Sequence, residues 1–252
     1  MREKNTRLFY TLGTFFIANA LLAEFIGIKI FSLEKTFGWS PLSISVFGIE
    51  NLSFNLTAGV LLWPVVFIMT DIINEYFGRR GVRFVSFTAA GLILYAFLMV
   101  FFAIRLTPSD FWIQRETSYG MVNMDFAFNT IFGQGMWIIA GSITAFLIGQ
   151  LVDVTVFHFF KKKTGNSKIW LRATGSTLVS QFIDSFVVLF IAFYLGAGWD
   201  IMLVLAIGVV NYMYKFTIAI VLTPLLYLVH YFVDLYLGKE AAEELMLEAT
   251  EK

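Results

Sequence analysis

The chain has no cysteine, and its 252 residues include only two histidines and four prolines. The missing cysteine rules out disulfides and a thiol nucleophile. No histidine pair sits at i, i+4, and no Gly-x-Ser-x-Gly nucleophile turn occurs, so an intramembrane enzyme has little to work with. No Gly-x-x-x-x-Gly-Lys-Ser/Thr phosphate loop is present either, so the chain cannot hydrolyse ATP by that route on its own. Charge is scarce as well: 14% of residues are charged and the net charge is zero, which argues against a nucleic acid or a large acidic partner.

Apolar sequence is what the chain has in quantity. It is 58% hydrophobic with a mean hydropathy of +0.77, and apolar runs of about 20 residues recur, long enough to cross a bilayer as helices. Lipid offers the backbone no hydrogen-bond partner, so the spans must be helical. The reading is an all-α integral membrane protein, a six-transmembrane-helix bundle in one domain. Its spans fall at 8–31, 56–77, 82–104, 131–160, 173–195 and 201–231, followed by a cytoplasmic tail over 233–252. The run from Leu8 exceeds a signal-peptide core and lacks a small-residue cleavage site, so it reads as the first helix.

Basic residues orient the bundle. With the N-terminus inside, the inner segments hold Arg2, Lys4, Arg7, Arg79, Arg80, Arg83, Lys161, Lys162, Lys163, Lys168, Arg172, Lys239 and Lys252. The outer segments hold only Lys35, Arg105 and Arg115, while Lys29 and Lys215 fall within spans. That asymmetry predicts cytoplasmic termini. Two outer connections are long. In the first, Leu42–Val46 and Leu52–Leu56 alternate apolar with polar across a Gly48–Asn51 turn, a pattern that suits a small extracytoplasmic β-hairpin between helices 1 and 2 as well as an interfacial loop. The second, with Phe111, Trp112, Tyr119, Phe126 and Phe128, reads as an interfacial lid.

Polar residues break the apolar pattern in a repeated way. Gln150-x-x-Asp153 and Gln181-x-x-Asp184 lie in separate spans, and a third span carries Thr70-Asp71-x-x-Asn74-Glu75. Residues three and four apart share a helical face, so each insertion forms one polar spot. Left unpaired, Asp71, Asp153, Asp184 and Lys215 would together cost on the order of 10 kcal/mol in the bilayer. They must face inward and find partners, and Lys215 is expected to pair with Asp184, or failing that with Asp153. Asn211 lies one turn before Lys215 on the same face. Gly141, Ala145 and Gly149 make a small-residue seam for a close neighbour. Gln134, Ser142, Thr144 and Ser180 suit interhelical glue. His158 and His230 are expected to reach headgroups from helix ends, and Pro64 and Pro224 to kink their helices.

Four motifs in order carry a family likeness: Thr70-Asp71-Ile72-Ile73-Asn74-Glu75-Tyr76-Phe77-Gly78-Arg79, Gly149-Gln150-Leu151-Val152-Asp153-Val154, Ser176-Thr177-x-x-Ser180-Gln181-x-x-Asp184-Ser185, and Asn211-Tyr212-x-x-Lys215. With them the chain resembles the queuosine precursor transporters, also called the vitamin uptake transporter-like family, from Ala18 to Pro224. The resemblance implies a multi-pass inner-membrane importer of 7-deazaguanine bases, 7-cyano- or 7-aminomethyl-7-deazaguanine, by secondary or facilitated transport. It implies no cofactor, metal or nucleic acid, and leaves room for a homo-oligomer. A substrate-binding subunit that needs a separate ATPase is the alternative. The pocket expected for such a base takes donors from its edge with Asp71, Glu75, Asp153 and Asp184, and meets its carbonyl with Asn74, Gln150, Gln181 and Asn211. Lys215 completes the set, and Tyr76, Phe77, Phe182, Phe186 and Tyr212 are stacking candidates.

Overall fold

The computed structural model describes residues 2–118, 120–133, 136–164 and 169–251. Tyr119, Gln134, Lys168 and Lys252 therefore lie outside the described residues, and with them the roles expected of those four. Among the described residues, five helical runs are long and apolar enough to cross a membrane: Glu3–Ile26, Trp63–Ala103, Met124–Thr164, Ile169–Leu195 and Ile201–Val221. Large apolar side chains such as Phe84 and Leu94 are about 60% exposed, as lipid-facing residues must be. The chain is an all-α membrane protein.

The first helix, α1 (Arg2–Ile26), stops short of the expected 8–31. A short strand, β1 (Ile30–Ser32), follows and pairs antiparallel with β4 (Asn55–Thr57). Lys29 thus leaves the helix and gives its carbonyl to the Ala58 N–H. Between these strands, β2 (Ile44–Val46) and β3 (Ile49–Leu52) form a hairpin. Its turn is Phe47-Gly48, both at positive φ, the geometry that two-residue hairpins prefer. The expected Gly48–Asn51 turn is therefore corrected, and of the expected second strand Leu52 pairs with Ile44 in the hairpin while Asn55 and Leu56 pair instead with β1. One turn of helix, α2 (Leu33–Thr36), places Glu34 beneath this cap. Burial pushes the Glu34 carboxyl up, but the Phe54 N–H at 2.8 Å and the Ser32 hydroxyl hold it below the ordinary value.

The next helix, α3 (Trp63–Ala103), runs for 41 residues, which as a straight rod would be about 60 Å, twice a bilayer core. It is not straight. Gly78 sits at φ 68° and ψ −170°, outside helical space. Thr70 and Ser86 both donate to Oε1 of Gln150 at 3.3 Å, whereas 16 residues of straight helix would separate them by about 24 Å. The chain therefore folds back at Gly78 into a first arm (63–77) and a second arm (79–103). The first arm starts later than the expected 56, because the strand and a 3-10 turn (Ala58–Leu61) precede it. Pro64 stands in its first turn, where a missing N–H costs nothing, so it starts the helix and does not kink it.

The second outer connection folds into α4 (Asp110–Ile113), the hairpin β5 (Gln114–Thr117) and β6 (Gly120–Asn123), and α5 (Met124–Phe132). The expected span 131–160 is α6 (Met136–Thr164), which runs one turn further through the lysines. It shares the largest interface of the bundle with α7 (Ile169–Leu189). The glycine seam makes this possible: a Cβ on Gly141 would lie 3.1 Å from the Val188 carbonyl. A π turn (Phe190–Leu195) closes α7. The expected single helix 201–231 is two, α8 (Ile201–Val221) and α9 (Thr223–Leu237), divided at Leu222 because Pro224 begins a new helix.

The expected tail is structured. Past residue 237 it forms α10 (Lys239–Glu251), which buries Ala242, Met246 and Ala249 beneath the Gly78 turn. A Cβ on Gly78 would lie 2.7 Å from the Ala249 carbonyl oxygen. Gly78 is therefore required twice, for its dihedrals and for its lack of a side chain. Gly78→Ala should lower stability by about 1–3 kcal/mol, read as thermal unfolding of the purified protein in detergent. Gly91→Ala, which meets open space in the second arm, should leave the transition unchanged or slightly higher.

Candidate functional site

Three buried charged residues form one cluster. Glu75, at the end of the first arm, is fully buried and takes two hydrogen bonds from Arg172 of α7, at 2.8 and 2.9 Å. Lys161 of α6 lies 3.6 Å from the same carboxylate and donates to the Glu75 and Met246 carbonyls. Arg172 and Lys161 are each about 1% exposed. Expected as solvated basic residues of an inner connection, they are instead interior cations at the helix ends. Glu75, expected to read a base edge, has both oxygens committed to them.

Depth alone forecast the second ion pair, and it is present: Lys215 of α8 donates to Asp184 of α7, both about one fifth exposed. Gln150 is a tie and not a cleft group, accepting from Thr70 and Ser86 and so fastening both arms of α3 to α6. The expected glue residues Ser142 and Ser180 do bridge helices: Ser142 donates to Glu24 of α1 at 2.6 Å and Ser180 to Asp153 of α6 at 3.3 Å. His158 is buried with Nε2 unpartnered, and His230 pairs with Asp234 at 3.1 Å, so neither is the headgroup-reaching side chain expected.

A cleft enclosing about 600 Å³, its mouth included, lies between the first arm of α3, α7 and the α8–α9 segment. Trp63, Phe67 and Asp71 line one wall, Thr174, Thr177 and Gln181 the base, and Tyr214, Lys215 and Ile218 the other wall. Trp63 and Phe67 stack on each other, with centroids 6.1 Å apart. Polar groups are few: one carboxyl, one amide, one ammonium and the four hydroxyls of Thr174, Thr177, Tyr214 and Thr223 on an otherwise apolar surface.

Of the nine expected site residues, the cleft gathers Asp71, Gln181 and Lys215, with Asp184 bound to Lys215 at its edge. Asp153 lies behind Asp71, with the Thr177 hydroxyl within reach of both carboxyls. Asn74 is fully buried away from the cleft, and Asn211 is half-buried on α8 and does not line it. The expected stacking residues are elsewhere: Tyr76 donates to Asp234 at 2.6 Å, Phe77 packs on Phe9, and Phe182 packs on Phe186 and Tyr212. The rings that do line the cleft, Trp63, Phe67 and Tyr214, were missed from sequence, though a spacing signal for two of them exists. Trp63, Phe67 and Asp71 are spaced i, i+4, i+8, one stripe down a helix face.

A polytopic helical bundle with interior ion pairs and a cleft lined by a few polar groups is the architecture of a membrane transport protein. Residues 57–229, well over half of the chain, match the family described as "Putative vitamin uptake transporter", and the chain belongs to that family. It is 30% identical over 189 residues to the "Probable queuosine precursor transporter" of Haemophilus influenzae, covering 72% of this chain and 71% of that one. It is 26% identical over 183 residues to the Bacillus subtilis protein of the same name, covering 71% and 73%. It is 26% identical over 179 residues to the "Queuosine precursor transporter" of Escherichia coli, covering 69% and 72%. No solved structure gives a significant match.

The two ion clusters should respond differently to loss of one partner. Glu75→Gln leaves two buried cations without their carboxylate and should cost about 3–5 kcal/mol, measured as thermal unfolding in detergent. Asp184→Asn should cost less because its pair is partly exposed. The double variant Asp184→Asn with Lys215→Met should be more stable than the worse of its two singles.

Proposed function

We propose that this protein imports 7-deazaguanine precursors of queuosine, 7-cyano- or 7-aminomethyl-7-deazaguanine, across the inner membrane by secondary or facilitated transport. The observation that carries the reading is the cleft's chemistry, joined to the names of the three relatives. A base of this type offers an N–H and an exocyclic amine along one edge, which suits the Asp71 carboxylate. Its carbonyl suits the Gln181 amide, and its flat face suits the rings of Trp63, Phe67 and Tyr214. Glu75 and Gln150 hold the helices in place around this cleft and do not touch the ligand.

In this reading six segments cross the membrane: α1, the two arms of α3, α6, α7 with its π turn, and α8. Both termini are cytoplasmic. The position of α10 supports this arrangement, because it packs against the Gly78 turn and Lys161, at the end where Arg79, Arg80 and Lys161–Lys163 gather. The hairpin β2–β3 then faces the outside. A reporter fused to the C-terminus should be active only in the cytoplasm; periplasmic activity would overturn the orientation.

The substrate is tested by uptake of labelled 7-cyano-7-deazaguanine in a strain unable to make it. Wild type should restore uptake. Asp71→Asn, which turns an acceptor toward the base's donors into a donor, should weaken binding by about 1–3 kcal/mol, roughly 5- to 150-fold. Wild-type rates in Asp71→Asn at matched membrane abundance would remove Asp71 from the site. Uptake that needs a separate ATPase would replace secondary transport with the binding-subunit alternative.

A further inference from the structure

Two buried acids, Asp71 and Asp153, form no ion pair among the described residues. Asp71 and Asp153 face each other from α3 and α6 across the hydroxyls of α7. Ser180 donates to Oδ1 of Asp153 at 3.3 Å, and Thr177 is within reach of both carboxyls. The other oxygen of each, Asp71 Oδ1 and Asp153 Oδ2, is buried without a hydrogen-bond partner. So are both amide atoms of Asn74, which is 0% exposed and one turn past Asp71 on the same helical face.

The charged groups around this pair are already engaged. Arg172 and Lys161 are both on Glu75, and Lys215 is on Asp184. Glu24 takes its hydrogen bond from Ser142 and faces Asp184. His158, further along α6, faces Arg79, Lys161 and Lys162. Two cations against one acid at Glu75 leave a single positive charge, whereas Asp71 and Asp153 would bring two negative ones if both were ionised. Two neighbouring acids this dry favour holding one proton or a bound cation between them over standing as two bare carboxylates.

We propose that Asp153 is the proton site that couples transport, holding one proton while Asp71 holds the ligand; this rests on the reading of the cleft as a base-binding site. The two acids are placed for different tasks. Asp71 lines the cleft, whereas Asp153 lies off it, about 1% exposed, among hydroxyls that can accept a carboxyl proton as readily as they donate. Protonated Asp153 presents no charge to Asp71, which stays ionised and accepts the base's N–H groups. When the pair has given its proton to water, the arriving base closes the remaining solvent off Asp71, which raises the cost of a second bare carboxylate beside it, and Asp153 takes a proton from water. Proton and base therefore favour each other's binding, and the coupling is reciprocal. Only a proton moves: Asp153 takes it from water on the side from which the base arrives and returns it to water in the cytoplasm.

The test is calorimetric titration of the full-length protein in lipid nanodiscs with 7-cyano-7-deazaguanine, in buffers of different ionisation enthalpy and across pH. Wild type should take up about one proton per base on the alkaline side, where affinity falls about tenfold per pH unit. At lower pH the affinity should level off and the proton uptake vanish. Asp153→Asn should bind the base with no proton uptake and no such pH dependence. Should that variant not fold, Ser180→Ala removes a donor to the ionised carboxylate and should move the midpoint of the pH dependence upward; an unmoved midpoint would count against Asp153. Base binding without proton exchange at every pH, or binding that requires sodium instead, overturns the inference and leaves the base site standing. Proton uptake retained in Asp153→Asn assigns the proton elsewhere and overturns it too. No base binding at all brings down the cleft reading, and this inference with it.

Discussion

Burying a carboxylate with two cations in a membrane bundle is costly unless every hydrogen bond is made, and at Glu75 the geometry meets that condition. Arg172 supplies a two-pronged contact from α7, and Lys161 spans from α6 to the carbonyls of Glu75 and Met246. Four helices therefore end at one electrostatic junction: the first arm of α3, α6, α7 and α10. In a low-dielectric interior an unpaired member of such a group is far more costly than the pair is favourable. The junction works as a constraint on where helices stop more than as a source of net stability. It sets the fold-back at Gly78 directly above α10, and from that turn both arms of α3 are aimed.

The cleft follows from how α8 is held. Lys215 draws α8 toward Asp184 of α7, and the Thr174 and Thr223 hydroxyls meet at 2.9 Å where α9 begins. These contacts fasten the α8–α9 segment to α7, while Tyr76 ties α9 to the far end of the first arm of α3, so the wall carrying Trp63, Phe67 and Asp71 stands across a gap between the two attachments. Gln150 meanwhile binds Thr70 and Ser86 on faces turned toward α6. The polar residues of the first arm are thus divided by helix face: Thr70 brace, Asp71 cleft, Glu75 junction. Six residues, less than two helical turns, serve three different neighbours.

Much of this division could not be read along the chain. Asp184 and Lys215 were legible as a pair because both lie too deep to reach water, and depth is a property of position in an apolar run. Glu75 was not legible as a structural acid, because its partners Arg172 and Lys161 stand next to basic, loop-like sequence that also satisfies the orientation rule. The aromatic lining was hidden by abundance: among 29 phenylalanines, Phe67 gives no signal unless it is read with Trp63 and Asp71 as a stripe. Pro64 and Pro224 were read as kinks where they start helices, since both roles use the same missing N–H. The short strands that cap the outer connections depend on pairing between Ile30–Ser32 and Asn55–Thr57, residues about two dozen positions apart.

The sequence by itself determined that the chain lives in a bilayer, that its spans are helical, and that its basic residues favour one side. It also determined that several acids must find partners, because hydrophobic length, charge asymmetry and desolvation cost are carried by composition and spacing alone. The tertiary structure decided which acid is tied, which is paired, and which is left facing a cleft. Periodicity places a residue on a face of its own helix, but the rotation and depth of the facing helix choose its partner. Those are fixed only when all the helices pack at once, around Gly78, the Gly141 seam and the buried Glu75 junction.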